Sequence, residues 1–373
     1  MMYPNLKINL NHITANTKEV LRRAHASGVE VTAVTKCFGG NKDIAKALLK
    51  GGVKTLGDSR IVNLSNFSEL PCSKWLIRIP MISECEDVIK YADISLNSEI
   101  STIRVLNNCA RKQGKRHGVI LMIDVGDLRE GWFLGDGESY SKDEDRLTQN
   151  SYFEILSSIK EISAMSNIDF MGIGANETCF GGVIPTPSTF KELIGLKNYI
   201  TNELHIACHI ISGGNSSSYN LLDNHILPAE INNLRLGELI LFGREPAMNI
   251  EYSYLRQDSF ILEVEIVEIK NKPSLPHGII GRDAFGQIPS FSDKGIRTRA
   301  ICALGKQDTD IGELKPIDKR ITIEGASSDH MMIDITNSKR KYRVGEVVKL
   351  VCNYSSALHI CTSEYIHKQL VYH

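Results

Sequence analysis

The stretch VTAVTKCFGG, residues 31–40, decides the fold. Val31, Ala33 and Val34, interleaved with two threonines, run straight into Lys36, and a Cys-Phe-Gly-Gly turn follows. An apolar, β-branched run without polar alternation reads as a parallel strand covered on both faces. In a barrel of alternating strands and helices, the C-terminal strand ends line the active-site face. A lysine there enters a partly desolvated cavity, where its pKa falls and the free amine becomes available for Schiff-base chemistry. The competing reading is a lysine that snorkels to the surface.

The same signature recurs along the chain. Runs rich in Val, Ile and Leu at 29–35, 53–56, 75–79, 92–96, 119–125, 170–174, 206–212 and 231–236 alternate with helical patterns, after an opening helix near 11–27. Ile100, Ile103, Leu106 and Ala110 share one helical face, and Thr189 with Glu192 has the spacing of a capping box. Repeated strand–helix units predict an α/β fold, a (β/α)8 TIM barrel, with a doubly wound sheet as the alternative. After Met248 the pattern changes: FILEVEIVEIK (260–270) alternates with period two, and further strands are expected near 299–304, 320–324, 330–335 and 346–352. The expected domains are a barrel over 1–248 and a mainly antiparallel β domain over 249–373. The polar stretch GDGESYSKDEDRLTQN (135–150) reads as an exposed insertion.

Bulk properties exclude several function classes. The 373 residues are 42% hydrophobic and 23% charged with a net charge of -1, so no overall field favours nucleic acid or an anionic membrane. A small-molecule partner is expected. Nine cysteines, an odd number without a CxxC, and a start lacking a signal-peptide pattern point to free thiols in the cytoplasm. No apolar run approaches a membrane span. No phosphate-binding P-loop, zincin or serine-elbow motif occurs, the eleven histidines lack metal-ligand spacing, and Glu177 stands where a dinucleotide fingerprint needs its third glycine.

Three further stretches carry chemistry. HIISGGNSSS (209–218) offers exposed backbone N–H groups, Asn215 as a cap, and the hydroxyls of Ser216 and Ser217; it reads as an anion site or as an ordinary loop. NNLRLGELILFG (232–243) ends the eighth strand with Arg235, a permanent cation that is either an anchor or half of a structural ion pair. LMIDVGDLREG (121–131) ends a strand with Asp124, Asp127 and Arg129.

Taken in order, a lysine ending strand one, a loop of this kind after strand seven, an arginine at strand eight and a C-terminal β domain resemble the alanine racemase family of pyridoxal 5′-phosphate (PLP) enzymes. VTKCFGGN (34–41) and ALGKQD (303–308) look most like its ornithine-acting branch. The resemblance implies that Lys36 holds PLP covalently. It implies that Asn215, Ser216, Ser217 and the N–H groups near Gly237 serve the phosphate, that Arg235 meets the pyridine nitrogen, and that Arg129 lies near the cofactor and the substrate carboxylate. Asp329, in GASSDHMMID (325–334), and Asp308 would face substrate across a head-to-tail homodimer.

The chemistry implied is removal of the Cα proton from one face and its return on the other, by Lys36 and a second base. The family's second base is a tyrosine in a GYxDG segment. Here GKQDT (305–309) puts Lys306 in that place, as base or as a lysine facing substrate or phosphate. Other departures are Phe38-Gly39-Gly40 in place of a tyrosine, Met122 in place of a modified lysine, and Ser328 in place of a methionine. Tyr365 is a candidate phosphate ligand. The wider pocket suits ornithine or another basic amino acid. The alternatives are an alanine or broad-specificity racemase, a decarboxylase of the same fold type, and a non-catalytic PLP carrier. Decarboxylases usually pair the ring nitrogen with an acid and carry a Cys-Asp dipeptide; this chain has Arg235 and no such dipeptide.

Overall fold

The computed structural model describes residues 2–134 and 141–372. Its contacts divide it into two units: Ile13–Gln257, and the flanking residues up to His12 and from Asp258 onward.

Within Ile13–Gln257, eight strands form the barrel: Glu30–Val34, Thr55–Asp58, Ser73–Leu76, Ile94–Asn97, His117–Asp124, Ile168–Ala175, Ile210–Gly213 and Asn233–Leu236. Each pairs in parallel with the next, and the last closes on the first, with Arg235 opposite Thr32. Closure excludes the doubly wound alternative, because an open sheet has edges and this ring has none. Burial explains the missing alternation: all eight residues of His117–Asp124 are buried, with barrel interior on one side and helices on the other. One strand is irregular. Phe170 and Gly172 lie opposite Val119 and Ile120, so Met171 is an extra residue, and Gly172 takes a φ of +149°. This bulge re-aims the strand's last residues.

Helix Leu10–Ala26 matches the expected opening helix, and Ile100–Lys112 buries Ile103, Leu106 and Ala110. One local expectation is corrected. Thr189 does not cap a helix: its hydroxyl donates to Thr186 O at 2.8 Å, closing a turn, and the helix starts later, at Lys191–Asn202. The polar stretch is exposed over 141–150, as expected, and is helical. Residues 135–140 lie outside the described residues, but Lys142–Ser163 is a helix whose Ser141 hydroxyl accepts from Glu144 N. Asp143, Glu144 and Asp145 occupy its first turn, where negative charge favours the helix end.

The second unit is an antiparallel sheet ordered Leu314–Pro316, Val347–Cys352, Phe260–Pro273, Ile296–Cys302, Met331–Asp334, Thr322–Ala326. The period-two reading holds at its centre: Phe260, Leu262, Val264 and Ile266 are fully buried. Asn5–Asn9 also belongs to this sheet, antiparallel to Phe260–Pro273 and parallel to His367–Val371. Buried Glu263 there pairs with Lys7 at 2.8 Å and Lys349 at 3.5 Å.

Candidate active site

Lys36 leaves the C-terminal end of the first barrel strand, in a single 3-10 turn, Lys36–Phe38, that ends on left-handed Gly39 and Gly40. Those two φ values, 58° and 71°, explain the glycine pair. Asn41 then caps helix Lys42–Lys50 by accepting from Asp43 N and Ile44 N. Beside the lysine, buried Asp58 ends the second strand. It accepts from the Thr35 hydroxyl at 2.5 Å, Arg60 N at 2.9 Å and Asn63 Nδ2 at 3.0 Å. Burial pushes its carboxyl up, while these donors and the charge of Lys36 pull the other way. The Phe38 ring is buried at the turn.

Arg235, 3% exposed, sits at the end of the eighth strand. It donates to Ser212 Oγ at 2.5 Å, Ala175 O at 2.9 Å and Asn176 Oδ1 at 2.6 Å. Asn176 Nδ2 in turn donates to Glu130 Oε1 at 2.5 Å, and Glu130 pairs with Arg129. A relay thus joins the two arginines singled out from the sequence. Burial lowers the Arg235 pKa to about 10, still well above neutrality, so it stays charged. Glu130, Asn176 and Asp58 were missed by sequence reading. The signal for Glu130 was its place beside Arg129; for Asn176 it was a polar residue at the end of a buried strand.

The loop after the seventh strand is tightly built. Gly214 has a φ of +96°, and a Cβ there would meet Ser218 Oγ at 2.8 Å. Asn215 Oδ1 accepts from Ser217 N at 2.8 Å and its hydroxyl at 2.7 Å, while Asn215 Nδ2 donates to Glu177 O at 2.8 Å. Ser216 Oγ accepts from Gly237 N and Leu239 N at 3.4 and 3.2 Å. The N–H groups near Gly237 therefore have a protein partner of their own. Asp124 and Asp127 are loop organisers: Asp124 accepts from Gly126 N and Leu128 N, and Asp127 from Cys179 N, Phe180 N and Val183 N.

In the β unit, Lys306 Nζ lies 3.6 Å from Asp283 Oδ2 and 4.2 Å above the Phe285 ring. Its turn packs on the 327–329 loop, with Lys306 N donating to Ser327 O and Gln307 N to Ser328 O. Lys306 and Asp329 therefore lie on adjoining loops. Asp329 is exposed and lies 2.9 Å from His330 Nδ1, and the His330 hydrogen bond holds its carboxyl below the usual range. Asp308 is buried and accepts from Gly305 N at 2.9 Å, shaping the turn. Tyr365 is 77% exposed. Among the described residues no His, Cys, Asp or Glu cluster is arranged to hold a metal, and no helix is long and apolar enough to cross a membrane.

Residues 8–246 match the N-terminal domain of alanine racemase. The chain belongs to the alanine racemase family. It is 43% identical over 370 residues to ornithine racemase of Acetoanaerobium sticklandii, covering 99% of this chain and 100% of that one. It is 36% identical to lysine racemase of Thermotoga maritima, covering 99% and 98%. Among solved structures, alanine racemase from Bartonella henselae with covalently bound pyridoxal phosphate aligns with a TM-score of 0.68 at 16% identity, over 98% of this chain and 99% of that one. That likeness is one of fold. Where some members of the alanine racemase family carry a modified lysine, this chain's Met122 is fully buried in an apolar cluster with Trp75, Leu96 and Ile120.

Proposed function

We propose that this PLP-dependent amino-acid racemase acts on a basic amino acid, ornithine in preference to alanine, using two lysines as its bases. The observation that carries the substrate reading is end-to-end similarity to two racemases named for basic amino acids. The donor set fits the cofactor. Lys36 at the strand end suits its aldehyde. The loop around Gly214, with the Ser218 hydroxyl buried and unpartnered, suits an anion. Arg235 uses three of the five N–H donors of a guanidinium, leaving two for a ring nitrogen. When bound there, PLP supplies an electron sink for charge developing at Cα.

The chain's own residues do the rest. Arg235 donates to the ring nitrogen without giving up its proton, which keeps that nitrogen largely unprotonated and discourages side reactions. The relay through Asn176 and Glu130 fixes its orientation and ties it to Arg129, which orients the substrate carboxylate. Lys36 takes or returns the proton on one face. On the other face the base is the partner subunit's Lys306, in a head-to-tail homodimer, with Asp329 offering a carboxylate to the substrate's distal ammonium. None of the nine cysteines is in a disulfide, which fits a cytoplasmic enzyme.

Polarimetry with L- and D-ornithine, lysine and alanine tests the substrate. Ornithine or lysine is expected to turn over at least about tenfold faster per KM than alanine, the discrimination a site gains from one well-placed polar group. Alanine turnover equal to or better than ornithine's refutes the reading. Lys306→Ala is expected to slow α-proton exchange in D₂O by about 10²–10⁴-fold for one enantiomer and much less for the other. Normal exchange from both enantiomers removes Lys306 from the mechanism.

A further inference from the structure

Glu177 follows Asn176 at the end of the sixth barrel strand, and its side chain is 0% exposed. Neither carboxylate oxygen has a hydrogen-bond partner. The neighbouring Thr189 hydroxyl gives its hydrogen to Thr186 O instead. The one charge acting on Glu177 among the described residues is Asp127, which is of like sign and already occupied by three backbone N–H groups. Glu177 is held against the loop after the seventh strand: its carbonyl accepts from Asn215 Nδ2 at 2.8 Å. A Cβ built on Gly214 would lie 3.9 Å from Glu177 Oε2 and 2.8 Å from Ser218 Oγ, the second buried polar atom without a partner. Two unsatisfied groups therefore flank the glycine whose positive φ shapes the loop.

A buried carboxylate with no cation, another carboxylate nearby and only the Thr189 hydroxyl, already bonded to Thr186 O, to oppose its burial is costly as an anion. We propose that Glu177 is a proton-dependent brace of the cofactor's phosphate loop. Protonated, it leaves the loop that carries Gly214 and Ser218 without a buried charge. Ionised, it adds an uncompensated negative charge against the loop that would hold the phosphate, and weakens that hold. Burial raises the Glu177 pKa to about 7. The proton is therefore present on the acid side and lost as pH rises through neutrality, so the change falls within the working range of a cytoplasmic enzyme. The inference rests on the phosphate assignment of this loop.

The experiment measures cofactor retained by the holoenzyme after dialysis between about pH 6 and about pH 9, by its absorbance, for the natural chain, Glu177→Gln and Ser218→Ala. Pyridoxal, which lacks the phosphate, is run in parallel, so that titration of Lys36 appears with both ligands and that of Glu177 with PLP alone. The natural chain is expected to lose PLP affinity by about tenfold more than pyridoxal affinity across the range, one pKa unit's worth of coupling. Glu177→Gln, of the same shape and without charge, is expected to remove that excess. Ser218→Ala, which keeps the carboxyl, is expected to keep that excess. Equal pH slopes for the two ligands, or an excess slope that survives Glu177→Gln, overturns the proposal. Should Glu177→Gln fail to fold, loss of the excess slope in Ser218→Ala overturns it equally, because that chain keeps the carboxyl. Failure of PLP to bind at any pH strikes instead at the proposed function.

Discussion

Lys36→Ala is expected to lower racemisation of either enantiomer by about 10⁴-fold or more and to abolish the absorbance of covalently held cofactor. Both losses have one origin. The first barrel strand delivers a single amine at its end, and the turn Lys36–Phe38 with its two left-handed glycines fixes where it emerges. Alanine removes the attachment point and the proton carrier together, and leaves the buried Thr35–Asp58 contact in place. The fold is therefore expected to stand, with an unchanged melting temperature. Residual activity within about tenfold of the natural chain contradicts the assignment, because general acid–base groups contribute more than that.

Gly172→Ala is expected to destabilise the barrel unit by about 3 kcal/mol or more, from backbone strain and overpacking together. A Cβ there would lie 1.9 Å from Ile210 O, and Gly172 and Ile210 are partners in the strand ladder. The obstruction is backbone, so relief requires parting the strands. The φ of +149° adds a second penalty, being open to glycine and closed to alanine. A fall of roughly 10 °C in melting temperature follows for a unit of this size. Activity is expected to suffer further, since the bulge aims Asn176 at Arg235. A melting temperature within about 2 °C of the natural chain's contradicts the clash.

The barrel was legible because burial on both faces writes itself into short apolar runs, and each of the eight observed strands overlaps one of them. Lys36 and Arg235 were legible as charges at the ends of such runs. The relay between Arg129 and Arg235 was not, because Glu130 and Asn176 lie 46 residues apart and meet only through tertiary structure. Glu177 was noticed for failing a glycine motif, and its burial has no local signature. The helix Lys142–Ser163 was obscured by its acidic first turn, which resembles a solvated loop until the dipole of a following helix is considered. Thr189 misled in the opposite sense: the capping-box spacing is present, but its hydroxyl oxygen accepts from Thr186 N rather than from a helix N–H, and the helix begins at Lys191. Asp308, expected to face substrate, accepts from Gly305 N in the turn that carries Lys306.

The strand Asn5–Asn9 sets an order of events during synthesis. Its neighbour across the sheet, Glu263, comes 258 residues after Asn5, and its other neighbour, His367–Val371, comes later still. At ribosomal speed the strand waits roughly 10 to 50 s for its first partner. All eight strands of the barrel emerge in that interval and have local partners to close upon. The early strand is thus a clasp fastened last, and its alternating Asn and Lys residues keep it wettable while it waits.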